Sequence, residues 1–227
     1  MFLVPALFRY LAELRQNRAF AFLVVLFLSF LALSIMAHNP ALLQWDQKVT
    51  RAFQKIRSEP LDRVVRAITL LADPLPLIAF GAIGTVAWWM AARPWAGVLV
   101  GLSVLGMPLN YAIKQIIRRP RPEDDGLVKV LLPVIGRSFP SGHAMTAVLF
   151  YGFLAFLVWI HVQHPGWRFF WAGLLVFISI AVGLSRVYLG VHWFSDVIGG
   201  WTAGLFFLLI LAIIYRAVAG GELAAKV

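Results

Sequence analysis

Six stretches of this chain, at approximately 19–37, 75–92, 95–113, 144–160, 168–185 and 196–216, qualify or nearly qualify as membrane-crossing helices. A bilayer core asks for roughly 20 mostly apolar residues per helical span. The expected fold class is therefore all-α, a polytopic bundle of six transmembrane helices. Composition agrees, since 61% hydrophobic residues, 13% charged residues and a mean hydropathy of +0.84 lie far outside the range of water-soluble domains. The first stretch follows Arg9, Arg15 and Arg18. It lacks a small-residue cleavage site and is long enough to cross, so it reads as a retained anchor rather than a signal peptide. With no internal repeat and no low-complexity run, residues 1–227 read as one domain.

Six crossings put both termini on one side and sort the polar segments onto two faces. One face carries the termini and the short links near Arg93 and 161–167. The other carries 38–74, 114–143 and 186–195. Within 38–74, Leu42, Trp45, Val49, Phe53 and Ile56 recur at helical spacing with Lys48, Arg51 and Lys55 between them. That pattern predicts an interfacial helical segment between the first and second spans, either a cover over the bundle or an element that gates substrate. Asp73-Pro74 reads as a helix cap followed by a first-turn proline.

Ionisable residues are costly at membrane depth, so clusters of them at span ends are functional candidates. The first cluster runs from Lys114 through Arg118, Arg119, Pro120 and Arg121 to Pro122, where prolines stop the third span. Alone it resembles an ordinary positive flank. The second, Arg137-Ser138-Phe139-Pro140-Ser141-Gly142-His143, opens the fourth span. Free backbone N–H groups at a helix start, with a glycine that lets an anion approach closely, suit a phosphate. A plain Ser/Pro helix start with an incidental histidine is the competing explanation. The third cluster is Ser185-Arg186, then His192, then Asp196 at the start of the sixth span. A carboxylate four residues from a histidine can hold one ring nitrogen and leave the other free to attack, although an interfacial His–Asp pair has the same spacing.

All three clusters fall on one membrane face, so they can meet. Together they offer two histidines, a carboxylate, a serine hydroxyl, helix N–H groups and three cations, a set suited to a tetrahedral oxyanion. The chain has no cysteine, which excludes thiolate metal sites and cysteine nucleophiles. A divalent metal would ask for more acids than the run Glu123, Asp124 and Asp125 supplies, and a solvated loop explains that run more simply. The net charge of +10 sits in loops beside the spans, where lipid headgroups or phosphate substrates fit better than nucleic acid.

Lys114-x6-Arg121-Pro122, Pro140-Ser141-Gly142-His143 and Ser185-Arg186-x5-His192-x3-Asp196 resemble, in order and spacing, the three signature motifs of the type 2 phosphatidic acid phosphatase superfamily, in its bacterial membrane branch. The resemblance implies that His192 attacks phosphorus and forms a phosphohistidine, with Asp196 fixing its tautomer. It implies that His143 protonates the leaving oxygen and then activates water. Lys114, Arg121 and Arg186 would neutralise the phosphoryl oxygens, helped by the Ser141 hydroxyl and the Gly142 N–H. No metal and no other cofactor is implied. Arg118, Arg119 and Arg137 lie outside the motif positions and are left as headgroup contacts. His38, His161 and His164 match no motif and are taken as interfacial bystanders.

The implied substrate is a membrane lipid carrying a phosphomonoester or pyrophosphate, such as undecaprenyl pyrophosphate, phosphatidylglycerophosphate or phosphatidic acid. The implied location is the bacterial inner membrane with the site on its outer face. Charge distribution argues the other way, because the motif-bearing face carries 13 Lys+Arg and the terminal face 7. Two further readings use the same residues: a phosphotransferase that passes the phosphate to another lipid, and a non-enzymatic phospholipid transporter. Neither of these, nor the oligomeric state, is decided by the motifs.

Overall fold

The computed structural model describes residues 18–124, 128–132 and 134–219. Arg9 and Arg15 of the expected first flank, and Asp125 of the acidic run, lie outside the described residues. Among the described residues there are nine helices and no strand: α1 Arg18–Met36, α2 Pro40–Gln54, α3 Glu59–Leu70, α4 Pro74–Met90, α5 Pro94–Ser103, α6 Gly106–Ile117, α7 Gly142–His161, α8 Pro165–Tyr188 and α9 Phe194–Val218. Helices α1, α7, α8, α9 and the α5–α6 run are long and apolar enough to cross a membrane. The α3–α4 pair, bent by 51°, brings the number to six. Proline at the first position of α2, α4, α5 and α8 starts each helix where its missing N–H leaves nothing unsatisfied.

The third span is not one straight helix. It breaks at Val104-Leu105, four residues before Pro108, the distance at which a proline ring clashes with a helical carbonyl. It also continues beyond the expected end at 113, so Lys114 stands on the last turn of α6. Arg118 then turns into the left-handed region, with φ of 57°, and ends the helix.

Helix α7 is the centre of the bundle, packed chiefly against α8 and α9. Phe150, Phe153 and Leu157 of α7 join Val182, Tyr215, Leu77 and Val100 in the main core. Helix α1 contrasts with it, since Phe22, Val25 and Leu28 stay exposed, as a helix facing lipid tails requires. Helices α7 and α9 approach very closely at their motif-bearing ends. A Cβ on Gly200 would lie 2.6 Å from the Ser141 carbonyl oxygen, and one on Gly204 would lie 2.7 Å from that of Met145. Small residues at such a crossing let two membrane helices touch backbone to backbone.

The segment between the first two spans is helical, as its periodicity predicts, but it forms two helices, α2 and α3. The apolar stripe of α2 is buried along one edge only. Trp45 is exposed, whereas Asp46 and Thr50 are fully enclosed. The three segments assigned to one face interlock. The Gln54 side-chain amide donates to the Lys129 and Tyr188 carbonyls and accepts from Lys129 N–H, and Leu131 N–H donates to the Leu189 carbonyl.

Candidate active site

Four helix ends and two loops converge on this face. The end of α6 brings Lys114, and the Pro-rich loop after it brings Arg119 and Arg121. The start of α7 brings Ser141, Gly142 and His143, the end of α8 brings Arg186, and the turn into α9 brings His192 and Asp196. Lys114 Nζ donates to the Arg137 carbonyl at 2.9 Å and the Ser138 carbonyl at 3.4 Å, which ties the end of α6 to the loop before α7. An open cavity of about 430 Å³ beside Lys114 and Arg121 is lined also by Asn110, Tyr111, Ile135 and Arg137.

His192 is 2% exposed, and its two ring nitrogens are in different surroundings. Nδ1 lies 3.4 Å from Asp196 Oδ2 and 3.4 Å from Ser138 Oγ. Nε2 lies 3.2 Å from Arg121 Nη1. A guanidinium has donors only, so Nε2 must present its lone pair and the ring proton must sit on Nδ1. Burial first, and then the positive charges of Lys114, Arg121 and Arg186, push the His192 imidazole well below its ordinary 6.5. The ring is thus a neutral base with its free nitrogen among cations. Burial also lowers the Arg121 guanidinium, partly offset by Asp196.

Asp196 is held from several directions. Its carboxylate accepts from Trp193 N–H at 2.8 Å, from Arg119 Nη1 at 2.6 Å and from the Ser138 hydroxyl in a very short contact. Arg119 also donates through Nη2 to Asp46 Oδ2 at 2.8 Å and through Nη1 to Ser195 Oγ at 2.7 Å. Asp46 completes the ring by accepting from Ser195 N–H at 2.8 Å and from its hydroxyl at 2.6 Å. The fork geometry of arginine suits two carboxylates at once.

His143 Nε2 lies 2.7 Å from Asp73 Oδ1. Arg186 is 4% exposed, and its Nη1 donates to Thr69 Oγ1 at 2.6 Å. Two buried polar atoms of this region, Ser141 Oγ and Arg186 Nε, have no hydrogen-bond partner among the described residues. Both belong to motif positions. A buried polar atom left unsatisfied is uncommon, and these two are available to an incoming group.

All eight expected site residues therefore lie at these converging helix ends and loops: Lys114, Arg121, Ser141, Gly142, His143, Arg186, His192 and Asp196. Three expectations need correction. Arg119 is not a headgroup contact but a buried ion-pair partner, 1% exposed, because only there can it neutralise two enclosed carboxylates. Asp73 occupies the N-cap of α4 as expected, yet its side chain makes no capping bond and is taken by His143 instead. His161 and His164 are more than bystanders. The first lies 2.7 Å from the Tyr215 hydroxyl, and the second accepts from Trp167 N–H as the cap of α8. Arg118 and Arg137 are exposed, as are Glu123 and Asp124. Asp46, Thr69 and Ser195 were not singled out in the sequence, and Ser138 was named only within the second cluster, with no role of its own. Asp46 did carry a signal, for it sits four residues after Leu42 and seven before Phe53, inside the apolar stripe.

Comparison with known proteins agrees with this geometry. The family model of the PAP2 superfamily matches residues 94–219. Phosphatidylglycerophosphatase B of Bacillus subtilis is 36% identical over 197 residues, 82% of this chain and 92% of that protein. The putative undecaprenyl-diphosphatase YbjG of Escherichia coli is 28% identical over 66% of this chain and 73% of its own length. The crystal structure of the transmembrane PAP2-type phosphatidylglycerolphosphate phosphatase from Bacillus subtilis aligns with a TM-score of 0.72 at 32% identity. That alignment covers 83% of this chain and 93% of the other. The motif order, the six-span layout and these similarities agree: the chain belongs to the PAP2 superfamily and is an integral membrane lipid phosphatase.

Proposed function

We propose that residues 1–227 act as one domain that hydrolyses the phosphomonoester or pyrophosphate of a membrane lipid through a phosphohistidine on His192. The substrate classes in view are phosphatidylglycerophosphate, undecaprenyl pyrophosphate and phosphatidic acid. The observation that carries this reading is the His192 Nε2 lone pair, buried and directed at Arg121 rather than at an acid. A neutral nitrogen base among cations attracts an electron-poor phosphorus carried by an anion.

In this reading an arriving phosphate takes over Arg121 from His192 and engages Lys114, Arg186, the Ser141 hydroxyl and the Gly142 N–H. The P–N bond to His192 forms as the P–O bond to the lipid breaks, and Asp196 holds the proton-bearing Nδ1 of the now cationic ring. His143 gives its proton to the leaving oxygen. It then takes one from the water that cleaves the P–N bond, releasing inorganic phosphate and restoring both histidines. No step calls for a metal.

The site is assigned to the outer face of a bacterial inner membrane. The assignment follows the family resemblance: with Lys114, Arg121 and Arg186 serving the phosphate and Arg119 buried in an ion pair, the opposing charge count narrows from 13 against 7 to 9 against 7. The test of the chemistry is phosphate release by the detergent-purified protein in EDTA, from undecaprenyl pyrophosphate and a panel of phosphatidyl phosphates, beside His192→Ala. Release in EDTA that disappears in the variant is the expected result. Transfer of the phosphate to an added acceptor lipid, with no inorganic phosphate released in its absence, would instead identify a phosphotransferase.

A further inference from the structure

The 51° bend between α3 and α4 carries two side chains to the site that belong to none of the three motifs. Thr69, one turn before the bend, accepts from Arg186. Asp73, at the bend itself, meets His143. The bend is fixed to the helix that carries His143, because the Tyr151 hydroxyl of α7 donates to the Leu71 carbonyl at 2.6 Å. Asp73 stands at an N-cap, where an aspartate ordinarily accepts from a backbone N–H of the first turn. It forgoes that bond and gives its carboxylate to the imidazole.

A carboxylate accepts and does not donate, so the proton between the two groups belongs to His143 Nε2. With Nε2 engaged, Nδ1 is the ring nitrogen left for exchange with a leaving oxygen or a water. We propose that Asp73 is the positioning residue of the acid–base step, fixing the ring orientation and tautomer of His143 so that Nδ1 faces the scissile oxygen. This rests on the reading of His143 as acid and base given above. During turnover the Nε2 proton stays on the ring. The proton that moves is the one on Nδ1, donated as the lipid oxygen leaves and regained from the attacking water, so Asp73 ends each cycle ionised.

The role is separable from structure by leaving-group dependence. An alkyl glycerol phosphate leaves as a strongly basic alkoxide and needs the proton, whereas p-nitrophenyl phosphate leaves as a weak base and hardly does. Positioned general acids contribute about 10²-fold or more. Asp73→Asn is therefore expected to lower kcat/KM, which reports only the steps through phosphoenzyme formation, by about 10–100-fold on a short-chain dialkylglycerol phosphate and by less than about threefold on p-nitrophenyl phosphate. Asp73→Ser, which restores a capping hydroxyl without the charge, is expected to show the same ratio and keeps the test available if the asparagine variant does not fold. Equal losses of kcat/KM on both substrates, or no loss on either, would each overturn the proposal. His143→Ala run alongside distinguishes the two levels. If it shows no leaving-group discrimination, the acid–base reading of His143 itself falls; if it does and the Asp73 variants do not, only the assignment of Asp73 falls.

Discussion

The molecule contains two His–Asp pairs on the same membrane face, and they are built in opposite ways. His192–Asp196 is local, four residues apart on one turn, with side chains 2% and 0% exposed. His143–Asp73 joins two helices and is open, with side chains 19% and 37% exposed. In the enclosed pair the contact is long, 3.4 Å, and the carboxylate is shared with Arg119, Ser138 and the Trp193 N–H. In the open pair the contact is 2.7 Å. A nucleophile must keep its lone pair, and burial keeps it neutral. A proton carrier must exchange with water, and a position at the rim allows it. The carboxylates also hold different ring nitrogens, Nδ1 in His192 and Nε2 in His143.

Arg119→Ala is the most drastic way to break the enclosed pair while leaving the open one untouched. It strands Asp46 and Asp196 as uncompensated buried charges, an arrangement that destabilises by about 3–5 kcal/mol. Thermal unfolding in detergent should show a large fall in midpoint or loss of folded protein. A variant as stable as the parent would show that the ion-pair ring is dispensable. Ser138→Ala is milder, since it removes one donor to Asp196 and leaves Arg119 in place. A hydrogen bond to a charged group contributes about 1.5–3 kcal/mol, so kcat should fall by about 10–100-fold with the fold intact. An unchanged kcat would assign the orientation of Asp196 to Arg119 alone.

The smallest effect sharpens the electrostatic side of the contrast. His192 is held below 6.5, so loss of activity through its protonation should begin only on the acid side of that value. Removing a nearby cation removes part of the force that disfavours the imidazolium, which raises the pKa. In Lys114→Met the acid limb of kcat/KM should therefore move to higher pH, by about one unit at most. Movement in the opposite direction would show that burial and the remaining cations do not govern the nucleophile.

The sequence was most legible where partners are close in the chain or repeat at fixed spacing. The spans fell within a few residues of the observed helices, and the His192–Asp196 turn follows directly from a separation of four. Arg119, Asp46 and Asp73 were hidden because their partners lie 70 to 149 positions away. A basic residue beside a span has many explanations until its partner is in view. Thr69 had a local signal of the same kind as Asp46, since it continues the four-residue steps of Leu61 and Val65 along α3. A polar residue that keeps apolar phase on an amphipathic helix points at something buried that is also polar.

The backbone contact of α7 with α9 at Gly200 and Gly204 bears on how accurately the two ends are aligned. Side chains between helices act as compressible spacers, whereas two abutting main chains leave almost no play. The Ser141 N–H reinforces this by donating to the Asp196 carbonyl at 2.9 Å, so the helix start beside the Ser141 hydroxyl and the turn that holds His192 share one frame of reference. Motion within the bilayer can displace this frame as a unit while hardly altering its internal spacings. The Asp73 carboxylate arrives from outside that frame, across the bend, and the Tyr151 bond to the Leu71 carbonyl is what ties the bend to it.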